Sequence, residues 1–132
     1  ILDYGCGKGS LGWFLPIEIS YYDPGIVEWS DDPEPEDYLI CADVLEHIEP
    51  QLIDNVIEHL ISKFNKKALL IISLKESKTI LPDGNNAHLI VKPYDWWIEK
   101  IKPYCNIEHI EFTKQKDLLI NLTKEEKKWN LL

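Results

Sequence analysis

Residues 68–74 read Ala-Leu-Leu-Ile-Ile-Ser-Leu, a nearly continuous apolar run. It is far too short to cross a membrane, which takes roughly 20 residues. It is also too apolar at successive positions for a strand with one face in water. The run predicts a central strand buried on both faces, and with it a layered α/β domain. Other segments agree. Strands are expected at 1–4, 17–22 and 38–42, and a short helix at 10–15 stopped by Pro16. The clearest helix is expected over 50–64, where Leu52, Ile53, Val56, Ile57, Leu60, Ile61 and Phe64 recur at helical spacing behind Pro50. A Pro82-Asp83-Gly84 turn follows the central strand. A helix near 95–102 then carries Trp96 and Trp97, which cannot both point inward; one is assigned to the core, the other to an acceptor rim or a partner surface, and core packing is the simpler reading of the pair. Residues 107–113 and 116–122 read as a closing antiparallel hairpin, and Thr123 with Glu126 has capping-box spacing for a terminal helix.

The turn after the first strand, Asp3-Tyr4-Gly5-Cys6-Gly7-Lys8-Gly9, narrows the function. Glycines at alternate positions let the backbone pass close beneath a ligand. A dinucleotide fingerprint would place its third glycine at position 10, where Ser10 stands, and the ending of a phosphate-binding P-loop is missing. A plain tight turn is the simpler reading of the glycines alone. Asp23 closes the second strand, 20 residues after Asp3. A carboxylate there suits the two hydroxyls of a ribose lying across the sheet, although Asp23-Pro24-Gly25 also reads as a turn.

Charge separates the candidate ligands. Residues 1–62 hold one lysine and 14 acids, whereas 63–132 hold 13 lysines and 9 acids. An acidic half of this kind repels dinucleotides and nucleoside triphosphates and favours a cationic cofactor such as S-adenosylmethionine. The chain has no arginine, so bidentate phosphate forks are excluded. Cys6, Cys41 and Cys105 are sparse and odd in number, which fits reduced thiols and a cytoplasmic location. Asn121-Leu122-Thr123 matches a glycosylation acceptor only by chance on this reading. The sequence has no methionine and opens inside an apolar strand, so a residue or segment is expected to precede Ile1.

Asp-Tyr-Gly-Cys-Gly-Lys-Gly at 3–9, Asp-Pro at 23–24 and Asp-Val-Leu-Glu-His-Ile-Glu-Pro at 43–50 together resemble class I S-adenosylmethionine-dependent methyltransferases. With Leu-Pro-Asp-Gly-Asn-Asn-Ala-His-Leu-Ile at 81–90 and Trp96-Trp97, the chain resembles small methyltransferases encoded by bacteriophages, which act in the host cytoplasm. The resemblance spans residues 1 to about 100. It implies a Rossmann-like, mainly parallel sheet with helices on both faces and a C-terminal antiparallel hairpin, a reduced class I core in one domain over 1–132. Residues 1–62 would form the cofactor half and 63–132 the acceptor-facing half. Asp3, Gly5, Cys6 and Gly7 are implied to hold the methionine portion and Asp23 with Pro24 the ribose. Asp43, Val44 and Leu45 are implied to lie beside the transferable methyl. Only 14 positions separate Asp23 from Tyr38, fewer than the helix and strand usual at that place require.

Methyl transfer from a sulfonium needs alignment above all, and a general base where the acceptor must lose a proton. Asp43, His47 and His88 are the base candidates; a solvated position ahead of a helix is the simpler reading of His47. His59 and His109 read as surface residues. No His/Cys pair has ligand spacing, so no metal is expected. Lys75, Lys78, Lys92, Lys100 and Lys102 give the second half a basic acceptor side, which leans toward a macromolecule such as structured RNA. A small metabolite or sugar is the second reading and a non-catalytic cofactor-binding module the third. A monomer or homodimer away from membranes is expected.

Overall fold

The computed structural model describes residues 1–125, so the terminal helix expected from Thr123 and Glu126 lies outside the described residues. Six strands form one sheet: β1 (Leu2–Tyr4), β2 (Ser20–Tyr22), β3 (Glu36–Ala42), β4 (Phe64–Ser73), β5 (Asn106–Phe112) and β6 (Asp117–Thr123). Their order is β2-β1-β3-β4-β6-β5. β1 to β4 run parallel, and β6 is antiparallel to both β4 and β5. The mainly parallel α/β sheet and its closing hairpin are therefore as expected. β2 and β3 lie on opposite sides of β1, which makes the C-terminal end of β1 the switch point where such sheets open a crevice.

Strand register explains where the core sits. Leu2, Leu39, Ala68 and Leu122 follow one another across β1, β3, β4 and β6, as do Cys41, Leu70 and Ile120 across the last three. Residues paired in this way project from the same face. Helices α1 (Ile53–Ile61) and α2 (Tyr94–Ile101) lay Ile53, Ile57, Leu60, Trp97 and Ile101 on that face, all of them buried. Each such aliphatic side chain contributes about 1.5–3 kcal/mol by leaving water. Trp97 belongs to this core, whereas the half-buried Trp96 meets it edge-on and lies under the Lys100 ammonium.

The other face is thinly covered. Leu69 and Ile71 are half-buried, so the central strand is sealed on one side only. Among the described residues, helical cover there reduces to a single 3₁₀ turn, Ser10–Trp13, in place of the helix expected at 10–15. Four glycines and Pro16 between β1 and β2 leave too little good helix sequence for more. The helix expected over 50–64 is a 3₁₀ turn at Pro50–Leu52 followed by α1, and Phe64 opens β4 instead. Phe64 is fully buried, which is why its apolar spacing mimics a continuing helix. β2 is only half the length expected at 17–22, and a 3₁₀ turn, Val27–Trp29, is the sole helical element between β2 and β3. Asn121 lies within β6 and Thr123 is buried, so the glycosylation-like triplet is not an exposed loop. Among the described residues all three cysteines are free, and no helix is long and apolar enough to cross a membrane.

Candidate active site

Two adjoining clefts open at the C-terminal end of β1. The larger, about 480 Å³, is lined by Gly5, Asp23, Pro24, Asp43, Val44 and His47, with an apolar wall from Tyr4, Tyr22, Ile48, Leu52 and Val56. The smaller, about 280 Å³, lies toward the thinly covered face between Asp3, Gly5, Cys6, Ala42 and Asp43. Gly5 and Asp43 border both, so the two clefts form one groove over the strand ends.

The glycine turn builds the floor of this groove. Gly5 and Cys6 donate their amides to the Tyr22 carbonyl at 2.7 and 3.0 Å, which ties the turn to the end of β2. Gly5 has φ +78°, and a Cβ there would collide with Val44. Gly7, at φ +54°, faces open space, so its bare backbone is accessible to a ligand. The Gly7 amide donates to Asp23 Oδ2 at 2.9 Å and the Gly25 amide donates to Oδ1 at 2.9 Å. Each oxygen of Asp23 keeps a further lone pair, on a carboxylate that lines the larger cleft.

Asp3 is buried at 7% exposure and its carboxylate has no hydrogen-bond partner among the described residues. Desolvation, and then the charge of Asp23, raise its pKa. Burial, then Asp3 and Asp23, push the Cys6 thiol up to about 11, which rules out a thiolate nucleophile at neutral pH. Asp43 is exposed at the end of β3 with φ 56°, a left-handed conformation held by its amide donating to the Ile71 carbonyl at 2.9 Å. Such backbone costs about 1 kcal/mol and re-aims the side chain at the groove. Leu45, expected beside the methyl, is buried in the core and lines neither cleft.

Histidines gather on the β3–β4 side. His47 and His88 meet edge to face, ring centres 4.7 Å apart. His47 Nδ1 donates to the Ala87 carbonyl at 2.8 Å, and His88 Nδ1 donates to the Lys75 carbonyl at 2.6 Å. A carbonyl only accepts, so in the neutral form of either ring Nδ1 carries the proton and Nε2 holds a lone pair. The loop bearing His88 is fixed by Asn86, whose side chain accepts from the Ser77 and His88 amides, and by the Ile90 amide donating to the Glu46 carbonyl. Below lies Glu46, fully buried, with Oε1 accepting from the Ser73 amide at 3.1 Å. Burial raises its pKa against the opposing effect of that amide. His88 reaches Glu46 and His47 from a different loop, so sequence spacing gave no sign that the three lie together.

His59 corrects the sequence reading. It lines the larger cleft instead of standing on the surface. The Tyr4 hydroxyl donates to its Nδ1 at 2.6 Å, and its Nε2 donates to Asp32 at 2.7 Å, where Lys63 also pairs. Leu52, Val56 and His59 at helical spacing beside the core stripe were the available signal.

Neither a family profile nor a curated protein matches this sequence. Several solved structures with this fold are methyltransferases, some with S-adenosylmethionine or S-adenosylhomocysteine bound. Magnesium protoporphyrin IX methyltransferase from Synechocystis PCC 6803, with bound S-adenosylhomocysteine, superposes with a TM-score of 0.67 at 17% identity over 94% of this chain and 73% of its own. 1,6-Didemethyltoxoflavin-N1-methyltransferase from Burkholderia thailandensis gives 0.65 at 15% identity, over 95% and 70%. Mitomycin 7-O-methyltransferase gives 0.69 at 11% identity, with only 48% of its own chain covered. At these identities the likeness establishes the fold.

Proposed function

We propose that the chain is a methyltransferase using S-adenosylmethionine, a pared-down form of the class I core. The observation that carries this reading is the groove itself. It joins an apolar, nucleoside-sized cleft closed by Asp23 to a smaller one holding the unpartnered, buried Asp3. A ribose fits the free lone pairs of Asp23, and a ligand ammonium fits Asp3, whose burial as a lone anion is otherwise unfavourable. Gly5 borders both clefts, Cys6 lines the smaller, Gly7 holds Asp23 through its amide, and Pro24, Asp43 and Val44 form the rim. When bound, S-adenosylmethionine supplies a methyl group on a sulfonium, open to in-line displacement.

The remaining chemistry falls to the chain. Asp43 stands where the clefts meet and orients the cationic centre. His47 and His88 present unprotonated Nε2 atoms that can take a proton from an acceptor. Residues 1–62 thus hold the cofactor while loop 74–93 faces the acceptor. Lys75, Lys78 and Lys92 in that loop are exposed and form no ion pair among the described residues, whereas Lys100 pairs with Asp54 and Lys102 with Glu99. The three free lysines favour an anionic acceptor, structured RNA being the lead. The short β2–β3 connection supports the minimal, phage-type reading, with action in the cytoplasm. A second reading, a small metabolite, is favoured by the porphyrin and toxoflavin precursors in the names of the solved relatives. Transfer of tritiated methyl to fractionated cellular RNA, protein and metabolites tests the assignment. Label in RNA that vanishes as salt rises supports the lead; label in metabolites alone replaces it, and cofactor binding without label anywhere points to a non-catalytic module.

A further inference from the structure

The structure assigns a second ligand to this molecule: Glu46, His47 and His88 form a binding site for a divalent transition cation. One ligand atom from each lies within 4.8 Å of the other two. Two imidazoles and one carboxylate form a donor set suited to Zn²⁺, Mn²⁺ or Fe²⁺ rather than to Mg²⁺ or Ca²⁺, which prefer all-oxygen shells.

Three further observations point the same way. Both histidines donate Nδ1–H to main-chain carbonyls, Ala87 and Lys75, the second-shell arrangement that fixes a ligating ring and directs its Nε2 lone pair to an ion. Glu46 is fully buried, yet its Oε2 has no hydrogen-bond partner. The adjacent Ser73 Oγ, on the residue whose amide binds Glu46 Oε1, is buried and unpartnered as well. Two orphaned polar atoms at one place are costly unless a ligand meets them. The site is also pre-assembled, because the Ile90 amide bonded to the Glu46 carbonyl locks the His88 loop against the turn that carries His47.

Three protein donors leave coordination positions free, the pattern of sites that act on a ligand rather than merely brace a fold. His47 also lines the larger cleft, so those positions face the groove. In the methyltransferase reading, on which this last step alone rests, the ion replaces the free histidines as the activating group: with both Nε2 lone pairs engaged on it, it holds an acceptor hydroxyl oxygen and lowers its pKa, and the proton leaves to solvent. The ion site itself stands on geometry.

Co²⁺ is the probe, since its visible absorption reports imidazole and carboxylate ligation. Titration into the purified protein should saturate at one equivalent per chain with that absorption and raise the unfolding temperature. His88→Ala and Glu46→Gln should each weaken binding more than about 10-fold, while His109→Ala, at an exposed histidine outside the cluster, binds as the parent does. Failure of the parent to saturate, or binding by His88→Ala as tight as by the parent, overturns the site. If His88→Ala fails to fold, the parent spectrum with Zn²⁺ in competition decides: displacement of one Co²⁺ supports the site and its absence overturns it. Calorimetry with S-adenosylmethionine on the same samples keeps the two proposals separate. Cofactor without Co²⁺ removes the ion site, and Co²⁺ without cofactor removes the methyltransferase reading.

Discussion

The carboxylate end and the histidine end of the groove are built in opposite ways. At the carboxylate end, Asp3, Gly5, Cys6 and Gly7 come from one turn, and Asp23 reaches them by a single 2.9 Å hydrogen bond from the Gly7 amide. At the histidine end, His47 and His88 come from loops 41 residues apart and meet only through the sheet and main-chain carbonyls. A continuous turn is suited to gripping a standard ligand. An end assembled from a variable loop is suited to adapting to a particular acceptor. On this account the first end binds and the second reacts.

The largest effect should therefore separate the two. The double variant His47→Ala with His88→Ala should lose about 10²–10⁴-fold in methyl transfer, measured with tritiated cofactor, yet keep cofactor affinity within about threefold. Loss of affinity in step with turnover would erase the distinction between the ends.

Asp3→Asn probes the other end. It should weaken cofactor binding about 10–100-fold, the usual value of a charged hydrogen bond, while making the ligand-free protein more stable at neutral pH. The sign follows from burial, which raises the folded-state pKa above the unfolded one. Between the two, the folded chain holds a proton that the unfolded chain has released, so stability falls as pH rises through that window. Replacement by Asn should remove this fall, visible as a flatter dependence of unfolding temperature on pH.

The smallest effect belongs to the wall of the larger cleft. Tyr4→Phe removes the hydroxyl that donates to His59 at 2.6 Å and should cost about 0.5–1.5 kcal/mol in denaturant unfolding. A cost near zero would mean that the Tyr4–His59–Asp32 chain braces neither the cleft nor the acidic loop.

The same contrast explains what could be read from the residues alone. The glycine turn, Asp23 and the apolar strands are local patterns, so they reported both the sheet and the carboxylate end. Phe64 misled because a buried residue looks alike at the end of a helix and the start of a strand. Double burial of 68–74 failed because apolar sequence records what a strand tolerates, whereas cover on the second face depends on how much helix the 5–19 segment can form. Leu45 sits in a motif beside the groove, but its side chain turns into the core. His59, Glu46 and the meeting of His47 with His88 depend on contacts between distant segments, which no local pattern records.

Calorimetric titration of S-adenosylmethionine into the intact chain, beside Asp23→Ala and Gly7→Arg, tests whether the groove binds this cofactor. Gly7 faces open space at a positive φ that disfavours any side chain, so an arginine there disturbs the turn whose amide holds Asp23 without entering the core. The account predicts saturable one-to-one binding by the parent, lost in both variants while each stays folded by circular dichroism. No binding by the parent, or undiminished binding by both folded variants, would contradict it.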